Sequence, residues 1–519
     1  MKNHLLATCL FLSVCVHAQA AITLAPLFTD NAVLQRDKAV PVWGKGEPAE
    51  TITVTFSGQK KETVADSAGR WRVQLDAMPA SSTAASLQVV GSVSGAKEIR
   101  GILVGDVWFA SGQSNMQHIV SKCMNPQEEA AAANYPQIRM FKVWFNVSET
   151  PQESLSGRAS KWSICQPNSA GSFSAVAYYF ARELHKDLQV PIGIINSSWG
   201  GTQIESWMSA PTLQASPLKD NVGNWWKQFL ADYEIKLGLY TKQLAAWEAS
   251  GANASDKPRE PQGALSRWTP SGLFNAMVHP FIPYGLRGFI WYQGESNTAR
   301  FDEYGTLFKA LITDWRKDFA QGDLPFYFVQ LANFDHKQDT TGQAWAFLRE
   351  AQLEALSLPN TGAAITVDIG DPKDAHYANK QEAGRRLATA ALAGTYERNI
   401  NASGPVFERA TEEEGNLRLH FQSEKELVLK PMEPSAFDVA GVDRKFHAAS
   451  ATIDGKTLVV TSPDVPRPVA VRYAWRNAPP VSLFDQDGLP APPFRSDDWM
   501  PPAPARILGV QDSGNDAGN

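Results

Sequence analysis

Between about residue 102 and residue 400, short apolar runs alternate with amphipathic segments, and that rhythm restricts the fold more than any other feature. GDVWFASG (105–112), VPIGIINSS (190–198), LRGFIWYQG (286–294), LPFYFVQLA (324–332) and TGAAITVDIG (361–370) read as buried strands. SAVAYYFARELHKDL (174–188), DEYGTLFKALITDWRKDF (302–319), residues 343–356 and NKQEAGRRLATAALAG (379–394) have helical spacing. Strands buried on both faces and separated by helices predict a parallel sheet covered on two sides. Asn379 and Glu382 fit a capping box at the last helix, with Glu382 reaching back to the cap.

The flanks follow a different rule. Ile52, Val54 and Phe56 point one way in TITVTF, as do Trp71, Val73 and Leu75 in RWRVQL, so residues 21–102 read as a small β-sandwich. From 401 to 507 the alternation returns at Leu417, Leu419 and Phe421 and at Val469, Val471, Tyr473 and Trp475, which predicts a C-terminal β-rich region. Residues 211–268 interrupt the central rhythm with Trp225, Trp226, Tyr233, Tyr240 and Trp247 in a charged helical context, a helical insertion within the 103–400 domain. Residues 508–519 read as a disordered tail.

At the other end, Lys2, an apolar run over 5–16 and Ala18-Gln19-Ala20 have the pattern of a signal peptide cleaved after Ala20. The expected location is periplasmic or secreted, with no membrane contact once the leader is gone. The net charge of −6, with no basic stripe, argues against nucleic acid as a partner. Cys9 and Cys15 leave with the leader. Cys123 and Cys165 are candidates for one disulfide in an oxidising compartment.

Four segments at expected strand ends can carry chemistry, because open α/β sheets bind ligands there. Gly112-Gln113-Ser114-Asn115-Met116 puts a serine in a tight turn after a buried strand, a place where a nucleophile and an oxyanion-binding N–H are exposed together. It lacks the second glycine of G-x-S-x-G, so the α/β-hydrolase elbow is not matched. Asn196–Thr202 contains Gly200-Gly201, which lets backbone N–H groups approach a ligand. Trp291–Asn297 places Gln293 and Glu295 at another strand end. Asp371–His376 offers a base, His376, with a carboxylate, Asp374, two residues away. His118 is a further candidate for lining the site. No His, Cys, Asp or Glu spacing resembles a metal site, and no cofactor is expected.

GQSNM, SSWGGT, WYQGESN and DAH-x-x-NKQEAGRRLA, in this order, resemble the sialate O-acetylesterase family of SGNH hydrolases. LFTDNAVLQRD and RYAWRNAPPVSLFDQDGLPAPPFRSD extend the resemblance towards both ends, and acetyl xylan and xyloglucan esterases share much of the pattern. The resemblance implies an SGNH-type three-layer α/β/α catalytic domain and a serine hydrolase that releases acetate from an O-acetylated sugar or oligosaccharide. Ser114 would be the nucleophile and His376 the base. The N–H groups of Ser114 and Gly201 and the Gln293 side chain would meet the oxyanion, and Gln113 and Asn115 flank the serine as further substrate-binding candidates. The usual pattern has Asn where Gln293 stands and Asp where Lys373 stands. The third triad member is therefore open between Asp374, favoured by its place on the same loop, and Glu295, with Asp371 more distant.

Two other functions compete with this one. The first is an acetyl esterase acting on xylan or xyloglucan. The second, of another class, is a non-catalytic carbohydrate-binding protein, against which Ser114 and His376 argue. Trp199 and Trp291, beside the expected oxyanion donors, would narrow the acyl pocket and favour acetyl over longer chains.

Overall fold

The computed structural model describes residues 21–337 and 339–500. The expected leader and the tail at 508–519 lie outside them. In the N-terminal region the strands are β1 (Val40–Lys45), β2 (Thr51–Phe56), β3 (Gln59–Val64), β4 (Arg70–Leu75) and β5 (Ser81–Gly91). Ile52, Val54, Phe56, Trp71, Val73 and Leu75 are all buried, as their alternation predicts. A long strand, β6 (Gly95–Gly112), then serves two regions. Its first part pairs antiparallel with β5, and its second part runs through the centre of the α/β sheet. The expected boundary at residue 102 falls inside this continuous strand.

The central sheet continues with β7 (Tyr135–Lys142), β8 (Trp162–Cys165), β9 (Ile192–Ser198), β10 (Gly288–Tyr292), β11 (Phe326–Val329) and β12 (Thr361–Ala364). Its order is β8-β7-β9-β6-β10-β11-β12, parallel except for β8 at one edge. The rhythm of apolar runs predicts five of these strands. It misses β7 and the edge strand β8, whose residues are mixed in polarity. From β6 the chain passes to β7 and the edge strand β8, comes back to lay β9 between β7 and β6, then crosses to the other side of β6 at β10. Such a reversal opens a crevice at the carboxyl ends of the strands.

After the short turn α1 (Ser114–Gln117), helix α2 (Ala175–Leu188) covers one face of the sheet. The insertion is dominated by α3 (Lys219–Ser250), 32 residues long. Helices α4 (Phe301–Phe319) and α5 (Ala344–Leu353) pack together, and α6 (Lys380–Gly394) packs on α2. Asn379 caps α6 by accepting from the Glu382 N–H, but Glu382 does not reach back. Its carboxylate is held by Arg385 and Arg386 at 2.7 Å. Ion pairing inside the helix wins over the reciprocal half of the capping box.

One apolar cluster runs from Ile22 to Trp475 and joins the N-terminal strands to the α/β layers, whereas Leu417–Phe494 contribute a second core of their own. The expected Cys123–Cys165 bond is not formed. Both thiols are free and buried, and each donates to a separate carbonyl, Cys123 to Ile119 and Cys165 to Ala133. Burial pushes them up to about 11 and about 12 respectively, so they behave as small apolar side chains. Among the described residues no helix is long and apolar enough to cross a membrane.

Candidate functional site

The Ser114 loop is built by its neighbours in the sheet. Gly112, at the end of β6, has φ +134°, and a Cβ there would lie 2.1 Å from the Tyr292 carbonyl oxygen, so no other residue fits the approach of β10. The Gln113 N–H bonds that same carbonyl at 2.9 Å, and the Trp199 N–H bonds the Gly112 carbonyl at 3.1 Å. Ser114 follows as the first residue of α1, partly exposed at the crevice. Ser174, the cap of α2, ties the loop down by donating to the Met116 carbonyl at 2.6 Å.

Gly200 comes beside the serine so closely that a Cβ on it would lie 3.2 Å from the Ser114 Cβ. Its N–H is held by Gln117 Oε1 at 2.7 Å. The Ser114 and Gly201 N–H groups make no hydrogen bond with any described residue, which leaves a donor open on each of two neighbouring loops. The carbonyls of the glycine pair are gripped from behind by residues at the end of the insertion. Arg267 donates to Gly200 at 3.2 Å and Trp268 to Gly201 at 2.8 Å. Spacing along the chain contains no signal for this contribution.

Gln293 does not stand where an oxyanion donor is needed. It is fully buried, its amide nitrogen donates to the Thr202 carbonyl (3.1 Å) and to Asn297 Oδ1 (2.7 Å), and its oxygen accepts from Tyr304 at 2.9 Å. Both of its N–H groups are therefore spent on holding the turn after Gly201. Trp291 is also a core residue, edge-on to Trp207 and Trp315, so it cannot narrow an acyl pocket. Trp199 remains half-buried, stacked on Phe145 at 4.7 Å.

The histidine loop meets the serine loop through Asn115. Its amide donates to Glu295 Oε1 at 2.5 Å and to the Ala375 carbonyl at 3.0 Å, the residue just before His376. Gln113 Oε1 accepts from the Gly294 and Ser296 N–H groups at 3.4 and 3.3 Å, so the three loops are joined by the two residues that flank Ser114. His118, one turn beyond the serine, lies parallel to the His376 ring at 6.2 Å. Burial, with help from the Lys380 charge, pushes it down to about 4, so it is neutral near pH 7. Contacts between a catalytic serine hydroxyl and a histidine ring often close only when substrate is bound.

The two candidate carboxylates differ in setting. Asp374 is exposed, accepts the His376 backbone N–H at 2.7 Å, and lies 3.9 Å from His376 Nδ1. Glu295 lies on another loop, where its Oε1 accepts from Asn115. Its carboxylate is enclosed, and Oε2 has no hydrogen-bond partner. Burial pushes its carboxyl upward against the pull of Asn115 and Lys380. Asp371 accepts the Lys373 N–H and stays with the turn. Among the described residues, no group of three or more His, Cys, Asp or Glu is arranged to hold a metal ion.

Comparison with known proteins gives a consistent picture. Residues 263–393 match the model of the carbohydrate esterase family described as sialic acid-specific acetylesterase. The chain is similar to the sialate O-acetylesterase of Mus musculus, 31% identical over 90% of this chain and 93% of that one. It is also similar to the Homo sapiens sialate O-acetylesterase, 30% identical over 91% of each. A solved carbohydrate acetylesterase from Xanthomonas citri superposes with a TM-score of 0.80 at 38% identity, covering 92% of this chain and 100% of that one.

Proposed function

The chain belongs to the sialate O-acetylesterase family of carbohydrate esterases, and from that premise we propose that it deacetylates sugars through Ser114, His376 and Asp374. The observation that carries this assignment is the Asn115 bridge, which ties the residue after Ser114 to the carbonyl before His376 at the mouth of the parallel sheet.

In this mechanism His376 takes the Ser114 proton as Oγ attacks the acetyl carbonyl carbon. The carbonyl oxygen becomes an oxyanion and accepts from the open N–H groups of Ser114 and Gly201. Collapse breaks the bond to the sugar oxygen, which leaves with the proton from His376. Water, deprotonated by the same histidine, then attacks the acetyl-serine, releasing acetate and restoring the serine hydroxyl. Asp374 holds the histidine tautomer after a small closure of the 3.9 Å gap. The role left to Gln293 is to fix the turn that carries Gly201.

The substrate reading is an acetyl ester on sialic acid. Family membership supports it. Export after cleavage at Ala20 belongs to the same reading, and N-terminal sequencing of secreted protein beginning at Ala21 would support it. Ser114→Ala and His376→Ala should each lower kcat by roughly three orders of magnitude on p-nitrophenyl acetate. Retention of a tenth of wild-type activity in Ser114→Ala removes the nucleophile assignment. A hundredfold preference in kcat/KM for acetylated xylan or xyloglucan oligosaccharides over 9-O-acetylated sialic acid would keep the chemistry and replace the substrate.

A further inference from the structure

Lys380 has no part in the chemistry just described, yet it lies directly beneath it. It is the first residue of α6 and has no exposed surface. An ammonium buried this deeply persists only where other groups answer its charge. Its Nζ donates to the Tyr377 carbonyl at 2.7 Å and lies 3.4 Å over the Tyr377 ring. Tyr377 follows His376, and its hydroxyl in turn accepts from Tyr292 at 3.1 Å.

The histidine backbone is thus held on both flanks by buried side chains. Asn115 grips the carbonyl before it and Lys380 the carbonyl after it. Both grips lead to Glu295, since Asn115 bonds its carboxylate directly and the buried Lys380 charge attracts it. The other groups facing Lys380 are the Cys123 thiol and Asp374, which attract it when ionised, and His118, whose protonation it opposes. Lys122 and His376 act on His118 in the same sense as Lys380, and Glu129 faces Cys123.

We propose that Lys380 is a positioning residue of the esterase site, holding the backbone of the His376 loop and setting its charge against the Glu295 carboxylate that Asn115 links to the same loop. The inference rests on the proposed roles of Ser114 and His376. Without the ammonium, desolvation leaves Glu295 protonated over a wider pH range. Its charge-assisted bond from Asn115 then weakens, and with it the second grip on the loop. The charge of Lys380 is itself finely balanced, because burial brings its ammonium down to about 7 against the pull of Cys123, Glu295 and Asp374.

The test is kcat and KM for p-nitrophenyl acetate across pH 4–9 in Lys380→Gln, with folding followed by thermal unfolding. Lys380→Gln retains a donor for Tyr377 but no charge. It should lower kcat by roughly tenfold or more with KM little changed, and move the acid limb up by about one pH unit. Lys380→Arg, which keeps the charge, should retain the wild-type limb. In a Glu295→Gln background the added effect of Lys380→Gln on the limb should vanish. If Lys380→Gln does not fold, Lys380→Met takes its place with the same expected limb. A wild-type profile in the uncharged variant, or an equal shift in both backgrounds, overturns the proposal. Lack of esterase activity in the wild type, or full activity in Ser114→Ala, would instead fail the proposed chemistry, and both are measured before any Lys380 variant.

Discussion

At the scale of single residues, the two carboxylates near His376 separate by environment. Asp374 shares its loop and already touches the histidine backbone, so it needs only a small ring movement to bond Nδ1. Its exposure weakens the coupling, because water competes for the same charge. Glu295 is enclosed and serves Asn115. Asp374→Asn should lose about 10²-fold in kcat, less than the 10⁴-fold seen where a triad carboxylate is buried. Glu295→Gln keeps an acceptor for Asn115 and should lose about tenfold at neutral pH, with the difference from wild type shrinking on acidification as Glu295 itself becomes protonated. Steady-state kinetics on the two variants side by side decide the matter, and a larger loss in Glu295→Gln reverses the assignment. Ser114, His376 and both carboxylates could be singled out from the sequence because each sits at an expected strand end. Arg267 and Trp268 could not, since nothing along the chain announces that the end of an insertion folds back onto Gly200 and Gly201.

At the scale of elements, β6 joins the N-terminal strands to the α/β sheet, and its one buried charge marks the junction. Asp106 has no exposed surface. It accepts from Arg36, Gln35, Arg287 and Tyr396, residues that lie before and far after it in the chain. Burial pushes its carboxyl up, but the two guanidiniums outweigh burial and hold it below the ordinary range. Asp106→Asn leaves both arginines short of a counter-charge and should cost about 3 kcal/mol. A lowered carboxyl stabilises the fold above its unfolded value and loses that contribution as pH falls through the folded one. The gap between wild type and variant should therefore stay constant from pH 5 to 8 and narrow only below about pH 4. Urea unfolding at several pH values measures it, and a gap that widens on acidification contradicts the account. The disulfide expectation failed at this same scale. Compartment and cysteine count permit a bond, but the register of β8 and the turn after Ile119 send the two thiols to different carbonyls.

Across the whole molecule, the C-terminal strands have their own core, and buried Arg349 is one of the cations that join them to the α/β layers, beside Arg472, which donates to Gln343, and Arg495, which pairs with Glu350. Arg349, on α5, donates to the carbonyls of Leu331 and Ala332 within the α/β layer and to those of Arg476 and Asn477 in the C-terminal region. Burial lowers its guanidinium to about 9. Asn477 reinforces the joint by bonding Asp339 and the Trp345 N–H. Arg349→Met loses these bonds to a charged donor, each worth about 1.5–3 kcal/mol, and takes the guanidinium from the Leu331 and Arg476 carbonyls, whereas Ala332 keeps Trp345 and Asn477 keeps the Phe334 N–H. Calorimetry of wild type and variant should show the C-terminal core melting earlier in the variant, as a separate transition. One unshifted transition in the variant would show that the two cores do not depend on this joint.

Local patterning determined the parallel sheet, the inward faces of β2 and β4, the cap of α6 and the loops that carry Ser114 and His376, because periodicity and strand-end position are properties of neighbouring residues. The tertiary structure alone decided what each buried polar group bonds to. It turned Gln293 from an oxyanion donor into a brace, placed Trp291 in the core, kept Cys123 and Cys165 apart, and set Asn115 and Lys380 on either side of His376. The physical reason is that a buried donor or acceptor must be satisfied by whatever the fold brings near it, and that partner usually lies tens to hundreds of residues away along the chain.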